Sequence, residues 1–192
     1  MKPVPHEAGK SSYALIDGAA FLEALPLFDV RVALDLGCGV GNYALPVARR
    51  LPPGARLQGI DLWEEGVSTL ARAAAEQGLT NVTAAVGDLT DLGMVPDAQA
   101  DLVLMATVVH DLVERGHAGA ALAEAARVLR PGGCLAVVEF KKIPSKPGPP
   151  VAIRLSPNEL AALVGPAGFR DPQTVDLGPS NYLSLFRRKA LP

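Results

Sequence analysis

The chain has 192 residues, enough to bury one full core without disulfides or structural metals. Its 18 basic residues against 20 acidic ones give a formal net charge of -2, which supplies no field to attract nucleic acid or an anionic membrane surface. Cys38 and Cys134, the two cysteines, have neither the spacing of a disulfide framework nor that of a zinc site, and no metal is expected.

Along the chain, Met1 to Glu7 lacks the apolar run of a secretory signal and no later stretch is long enough to span a bilayer, so a cytoplasmic protein is expected. Ala14 to Leu25 reads as a helix closed by Pro26. Val30 to Leu36 is a mostly apolar strand of the kind covered on both faces. Gly37, Gly39 and Gly41 follow in a turn that hands over to a helix from Asn42 to Leu51 with Leu45, Ala48 and Leu51 on one face. Arg56 to Ile60 is a second strand, Glu64 to Gln77 a helix stopped by Gly78, and Val82 to Val86 a third strand. Leu102 to Ala106 is the fourth strand and Ala118 to Leu129 a helix, after which Pro131-Gly132-Gly133 turns the chain into a fifth strand from Cys134 to Phe140. Pro144 to Pro150 reads as an exposed loop. Ser156-Pro157-Asn158-Glu159 carries cap, first-position Pro and third-position Glu, so Pro157 to Val164 should be helical. Gln173 to Leu177 and Tyr182 to Arg188 read as two closing strands. Strands alternating with helices require parallel pairing through crossovers, hence an α/β, doubly wound sheet.

Three strand tips carry acids. Asp35 lies at the carboxyl end of the first, where open α/β sheets bind ligands, beside glycines and a helix N-terminus whose free N–H groups suit a ligand. The glycine spacing is G-x-G-x-G, and Asn42 stands where a dinucleotide fingerprint would place its third glycine. Asp61 ends the second strand twenty residues beyond Gly41, placed to accept from two ribose hydroxyls, and Asp88 follows the third, where it fits an exocyclic amino donor.

The runs Leu34-Asp35-Leu36-Gly37-Cys38-Gly39-Val40-Gly41, Gly59-Ile60-Asp61, Gly87-Asp88-Leu89, Ala100-Asp101-Leu102-Val103-Leu104 and Arg127-Val128-Leu129-Arg130-Pro131-Gly132-Gly133 together resemble a class I S-adenosylmethionine-dependent methyltransferase. The likeness runs from about Asp29 onward and is greatest to the small-molecule branch that contains the ubiquinone and menaquinone biosynthesis enzymes. It implies a seven-stranded Rossmann-like sheet with an antiparallel C-terminal strand, spanning residues 29–192, with residues 1–28 as an N-terminal cap. The cofactor implied is S-adenosylmethionine, leaving as S-adenosylhomocysteine. The resemblance sets Asp35, Gly37, Cys38, Gly39 and Asn42 around its methionine part, Asp61 on the ribose, Gly87 and Asp88 at the adenine, and Leu62 and Leu89 on either side of the ring. Ala106 ends the fourth strand beside it, and Gly9-Lys10-Ser11-Ser12-Tyr13 resembles a lead segment that folds over the cofactor, with Tyr13 in contact.

Methyl transfer asks chiefly for positioning, and for a base when the acceptor must lose a proton. His110 follows the fourth strand and is the candidate base, the alternative being a residue that packs over the cofactor or caps the next turn. Asp111 reads as a cap. Glu139, Lys141, Lys142 and Arg154 fall near the edge where an acceptor would bind, while Cys38 reads as a small residue of the turn and His6 and His117 as surface positions. Ala106-Thr107-Val108-Val109 lacks the Asn/Asp-Pro-Pro-aromatic signature of adenine and glutamine N-methylation. The expected acceptor is a small molecule, met by a monomer or homodimer, with no nucleic acid or membrane partner. A nicotinamide-dependent oxidoreductase and a non-catalytic cofactor-binding module are the alternatives.

Overall fold

The computed structural model describes residues 9–144 and 146–189. Seven strands form one sheet in the order β3-β2-β1-β4-β5-β7-β6: β1 Val32–Leu36, β2 Arg56–Asp61, β3 Val82–Val86, β4 Ala100–Ala106, β5 Leu129–Phe140, β6 Phe169–Asp176 and β7 Asn181–Arg188. The pairs β1–β2, β2–β3, β1–β4 and β4–β5 are parallel, and β7 runs antiparallel to both β5 and β6. The expected sheet class and its antiparallel strand are therefore present. Strand order reverses between β1 and β4, and the crevice beyond their carboxyl ends is where such sheets hold ligands.

Among the described residues six α-helices cover the sheet: α1 Gly18–Ala24, α2 Ala44–Arg50, α3 Glu64–Glu76, α4 Val109–Glu114, α5 Ala118–Val128 and α6 Pro157–Val164. Alternation along the strands divides the core in two. Leu34, Leu36, Val103, Met105, Leu135 and Val137 pack against α4, α5 and α6, whereas Ala33, Leu57, Leu102, Leu104, Ala136 and Val138 pack against α1, α2 and α3. None of the helices among the described residues is long and apolar enough to cross a membrane.

The structure differs from the expected elements in detail, and β6 starts at Phe169, four residues before the expected strand. The expected helix from Ala14 is divided into a 3-10 turn at Tyr13–Leu15 and α1, because the Asp17 carboxylate accepts from the N–H groups of Ala19 and Ala20 and starts a new helix there. Pro131 to Gly133 forms a bulge inside a longer β5, the pairing stepping from Ala100↔Leu129 to Leu102↔Cys134. The short helix α4 was not expected. The reading of α6 holds to the residue, with the full Ser156–Glu159 capping box.

Candidate cofactor site

Gly37 and Cys38 both donate backbone N–H groups to the carbonyl of Ile60, which turns the chain off the end of β1 and over β2. Gly41, at φ +90°, closes the turn through its N–H on Cys38, and its carbonyl accepts from Leu45 in the first turn of α2. A side chain at Gly41 would lie 2.4 Å from Leu70 of α3, so only glycine lets loop and helix pack this closely. Gly37 is closed off in the same way by Val108, with an added Cβ 3.0 Å from its nearest methyl.

Asp61 ties this loop to the second strand tip. One of its oxygens accepts from Gly39 N–H at 2.8 Å and the other from Trp63 N–H at 2.8 Å, so the same carboxylate holds the glycine loop and the start of α3. Asp35 is different: it is buried, and neither of its oxygens has a hydrogen-bond partner. Burial first, and then the charge of Asp61, push its carboxyl up to about 7. A buried acid left without partners is unstable as an anion unless a cation or donor meets it. It lies in a crevice lined by Gly9, Lys10, Ser11, Gly37, Cys38, Gly39, Val40, Asn42, Tyr43, Ala106 and Thr107. A donor-bearing, cationic ligand end fits that chemistry.

The crevice thus brings together Asp35, Gly37, Cys38, Gly39, Asn42 and Ala106 of the expected site, with Asp61 adjoining through Gly39. Burial pushes the Cys38 thiol far up, as befits a small buried residue of the turn and not a nucleophile. Tyr13 does not line the crevice. It packs edge-on against Tyr43 and Phe21, and Tyr43 lines the wall instead, its hydroxyl 2.7 Å from Ser12 Oγ. At the third tip Gly87 N–H donates to the Asp61 carbonyl, and Asp88 is exposed, with its carboxyl held low by the Thr90 N–H and hydroxyl, which donate to one of its oxygens. Leu62 is half exposed, whereas Leu89 is buried in the core.

His110 and Glu139 are not among the residues that line the crevice. Glu139 follows Leu135 and Val137 in alternation, so it faces the α4 side of the sheet, and there it accepts from His110 N–H at 3.0 Å and meets His110 Nδ1 at 2.8 Å. Nε2 lies 3.5 Å from the Asp111 carboxylate. Sequence reasoning named both residues and could not pair them, because no spacing rule relates positions 29 apart. Lys141 and Lys142 pair with Asp176 and Glu159. Arg154 is buried, donates to the carbonyls of Pro149, Lys141 and Ile143, and stacks over Phe140, so its guanidinium organises the loop after β5.

Residues 33–133 match the family described as a methyltransferase domain. The chain belongs to that family. Among its relatives, nocamycin O-methyltransferase of Saccharothrix syringae is 35% identical over 137 residues, 68% of this chain and 44% of that protein. The ubiquinone/menaquinone biosynthesis C-methyltransferase of Geobacter sulfurreducens is 32% identical over 109 residues, 56% of this chain and 41% of its own length. This methyltransferase-domain chain therefore spans less than half the length of these curated relatives. A SAM-dependent methyltransferase from Aquifex aeolicus superposes with a TM-score of 0.82 at 26% identity, covering 92% of both chains.

Proposed function

We propose that the protein binds S-adenosylmethionine in the β1–β4 crevice and transfers its methyl group to a small-molecule acceptor. The observation that carries this reading is Asp35, a buried carboxylate with both oxygens unpartnered at the floor of a glycine-rich crevice in a methyltransferase-domain fold. Asp35 accepts from the amino group of the cofactor, Gly39 and Asn42 lie along its methionine part, Asp61 takes the ribose, and Asp88 the adenine amine beside Leu62 and Leu89. The bound cofactor supplies an activated methyl on a sulfonium, so the chain's own task is to orient acceptor and donor in line and to exclude water. The names of the relatives, nocamycin O-methyltransferase and a ubiquinone/menaquinone biosynthesis C-methyltransferase, support a small acceptor.

On the acceptor side His110 is the proposed proton acceptor. In the tautomer that donates Nδ1–H to Glu139, Nε2 carries the lone pair that would take the acceptor's proton, between the Glu139 and Asp111 carboxylates. In this reading residues 1–28, of which 1–8 lie outside the described residues, form a cap on a cofactor-binding domain from 29 to 192, and the protein works in the cytoplasm. Calorimetry with S-adenosylmethionine, S-adenosylhomocysteine and NAD tests the cofactor, and transfer of labelled methyl into a fractionated metabolite extract tests the acceptor. Binding of the first two without NAD, with label in a low-mass fraction, is expected. NAD binding without S-adenosylmethionine binding, or label confined to macromolecules, would overturn the reading.

A further inference from the structure

The sheet ends in two edge strands, β3 and β6, and they are built differently. An edge strand presents a row of unpaired N–H and carbonyl groups that can pair with another chain, and proteins ordinarily blunt it with charge, proline or a bulge. β6 has all three. Exposed Arg170, Asp171 and Pro172 stand where its pairing with β7 breaks, between Arg170 and Gln173, and Asp171 holds a φ of +56°. β3 has none of them. Its residues, Val82-Thr83-Ala84-Ala85-Val86, pair with β2 in unbroken register and carry neither charge nor proline, and Val86 is 40% exposed.

The pairing with β2 sets the direction of the free groups. Leu57 N–H donates to the Asn81 carbonyl and Gly87 N–H to that of Asp61, so in this parallel register residues 81, 83, 85 and 87 face β2. The N–H and carbonyl groups of Val82, Ala84 and Val86 therefore point off the edge, and they have no partner among the described residues. These residues lie symmetrically about Ala84, read the same from either end and share one face of the strand. A second β3 turned about a two-fold axis through Ala84 thus meets the first in antiparallel register, Ala84 against Ala84 and Val82 against Val86, each pair exchanging both N–H···O=C bonds. Thr83 then opposes Ala85. The axis sets no charged side chain of the strand against its like, and at a net charge of -2 per chain the copies repel only weakly.

We propose that β3 is a self-association edge, through which two copies of this chain join their sheets about a two-fold axis at Ala84. An uncharged edge that reads alike in both directions is complementary to itself, and that favours a second copy over a foreign strand. The contact is small beside the roughly 1,600 Å² of a standard interface, so the dimer is weak, with a dissociation constant on the order of 10 μM. It needs no cofactor and is measured on the protein alone.

Sedimentation velocity from about 1 to about 300 μM should show the wild type passing from monomer to dimer. Ala84→Pro removes an N–H that β2 does not use and sets a ring on the axis, so it should keep its Tm and stay monomeric throughout. Thr83→Lys, which puts a charge on the edge, should weaken the dimer by about tenfold or more, and it decides the matter if Ala84→Pro melts early. Ala84→Cys should cross-link to its counterpart in oxidised glutathione, because directly paired Cα atoms about 5.5 Å apart accept a disulfide. Thr83→Cys, whose counterpart is out of register, should not, and the natural cysteines Cys38 and Cys134 are buried. Phe28→Ser is the control for association elsewhere, since Phe28 is 97% exposed, and it should leave the dimer unchanged. The proposal is overturned by a wild type that stays monomeric to the top of the range, by a dimer that survives Thr83→Lys, by a dimer lost in Phe28→Ser, or by cross-linking that does not prefer Ala84→Cys to Thr83→Cys.

Discussion

Nδ1 of His110, in the first turn of α4, lies 2.8 Å from a carboxylate oxygen of Glu139, whose side chain at the end of β5 is wholly buried. The other oxygen of Glu139 accepts from the His110 backbone N–H, so one carboxylate fixes both the ring and the helix start. Removing one partner of a buried, hydrogen-bonded pair strands the other and costs about 3–5 kcal/mol. Glu139→Ala should therefore lose stability on that scale in urea denaturation. Glu139→Gln keeps the shape and much of the hydrogen bonding, and should stay within about 2 kcal/mol of wild type while slowing labelled methyl transfer by roughly tenfold or more. Loss of stability without loss of transfer in Glu139→Gln would make the pair structural only.

Asp35 makes the stability of the ligand-free protein depend on pH in a stated direction. Its carboxyl is raised from 3.8 to about 7 by burial and by the neighbouring charge of Asp61. Below about pH 4 the folded and unfolded chains both hold the proton, and the contribution is fully present. Between about 4 and 7 only the folded chain holds it, so stability falls as pH rises, by up to about 1.4 kcal/mol per unit, and levels off above 7. The lowered carboxyls of Asp88, Glu124 and Asp176 tilt the other way, so the readout is the difference between wild type and Asp35→Asn. Asp35→Asn should gain relative stability steadily from pH 4 to 7 in thermal melts. Because a cationic ligand end needs the ionised form, S-adenosylhomocysteine affinity should rise about tenfold between pH 6 and 8 in the wild type and stay flat in Asp35→Asn. An affinity that falls over that range would contradict the role given to Asp35.

The glycine turn, the three acid tips and the Ser156–Glu159 cap were legible because each is a local pattern whose chemistry lies within a few residues. What sequence could not show is tertiary. Tyr13 is the aromatic residue that the resemblance offered, and only the fold shows that Tyr43 lines the crevice while Tyr13 packs edge-on against it. The six residues of α4 are too few to display a helical period, and Thr107 N–H is held by the Val138 carbonyl, which lies far from it in sequence. Arg154 carries no sign that its guanidinium is spent on carbonyls of its own loop.

Gly41 supplies a prediction with its own control. An alanine there would place Cβ 2.4 Å from Leu70 Cδ1 at a φ of +90°, and Leu70 is fully buried and cannot swing aside. Left-handed strain and overpacking together predict a loss of about 2–5 kcal/mol and of S-adenosylhomocysteine binding. Leu70→Ala alone opens a cavity costing about 2–5 kcal/mol. The double substitution should cost clearly less than the two together, since the cavity accepts the new methyl. Strict additivity in urea denaturation would mean that the clash relaxes elsewhere.

Two contacts of the segment that lines the crevice can be cut singly. Ser12 Oγ lies 2.7 Å from the Tyr43 hydroxyl in a buried contact, and Gly9 lies against the Trp63 ring at the start of α3. Gly9, Lys10 and Ser11 line the crevice, so opening of this segment would widen the way in for the cofactor. A single neutral hydrogen bond holds its Ser12 end, worth about 1 kcal/mol, so Ser12→Ala and Tyr43→Phe should each raise the open population about fivefold. Stopped-flow measurement should then show S-adenosylhomocysteine leaving several-fold faster from either variant. Limited proteolysis near Ser12 should speed up by a similar factor in the ligand-free protein and slow down again with ligand bound. The pair supplies a stricter check. Because both substitutions remove the same bond, and replacing both partners leaves no buried hydroxyl stranded, the double variant should release ligand no faster than the worse single one. Additive effects on release would show that Ser12 and Tyr43 act on the segment through separate contacts.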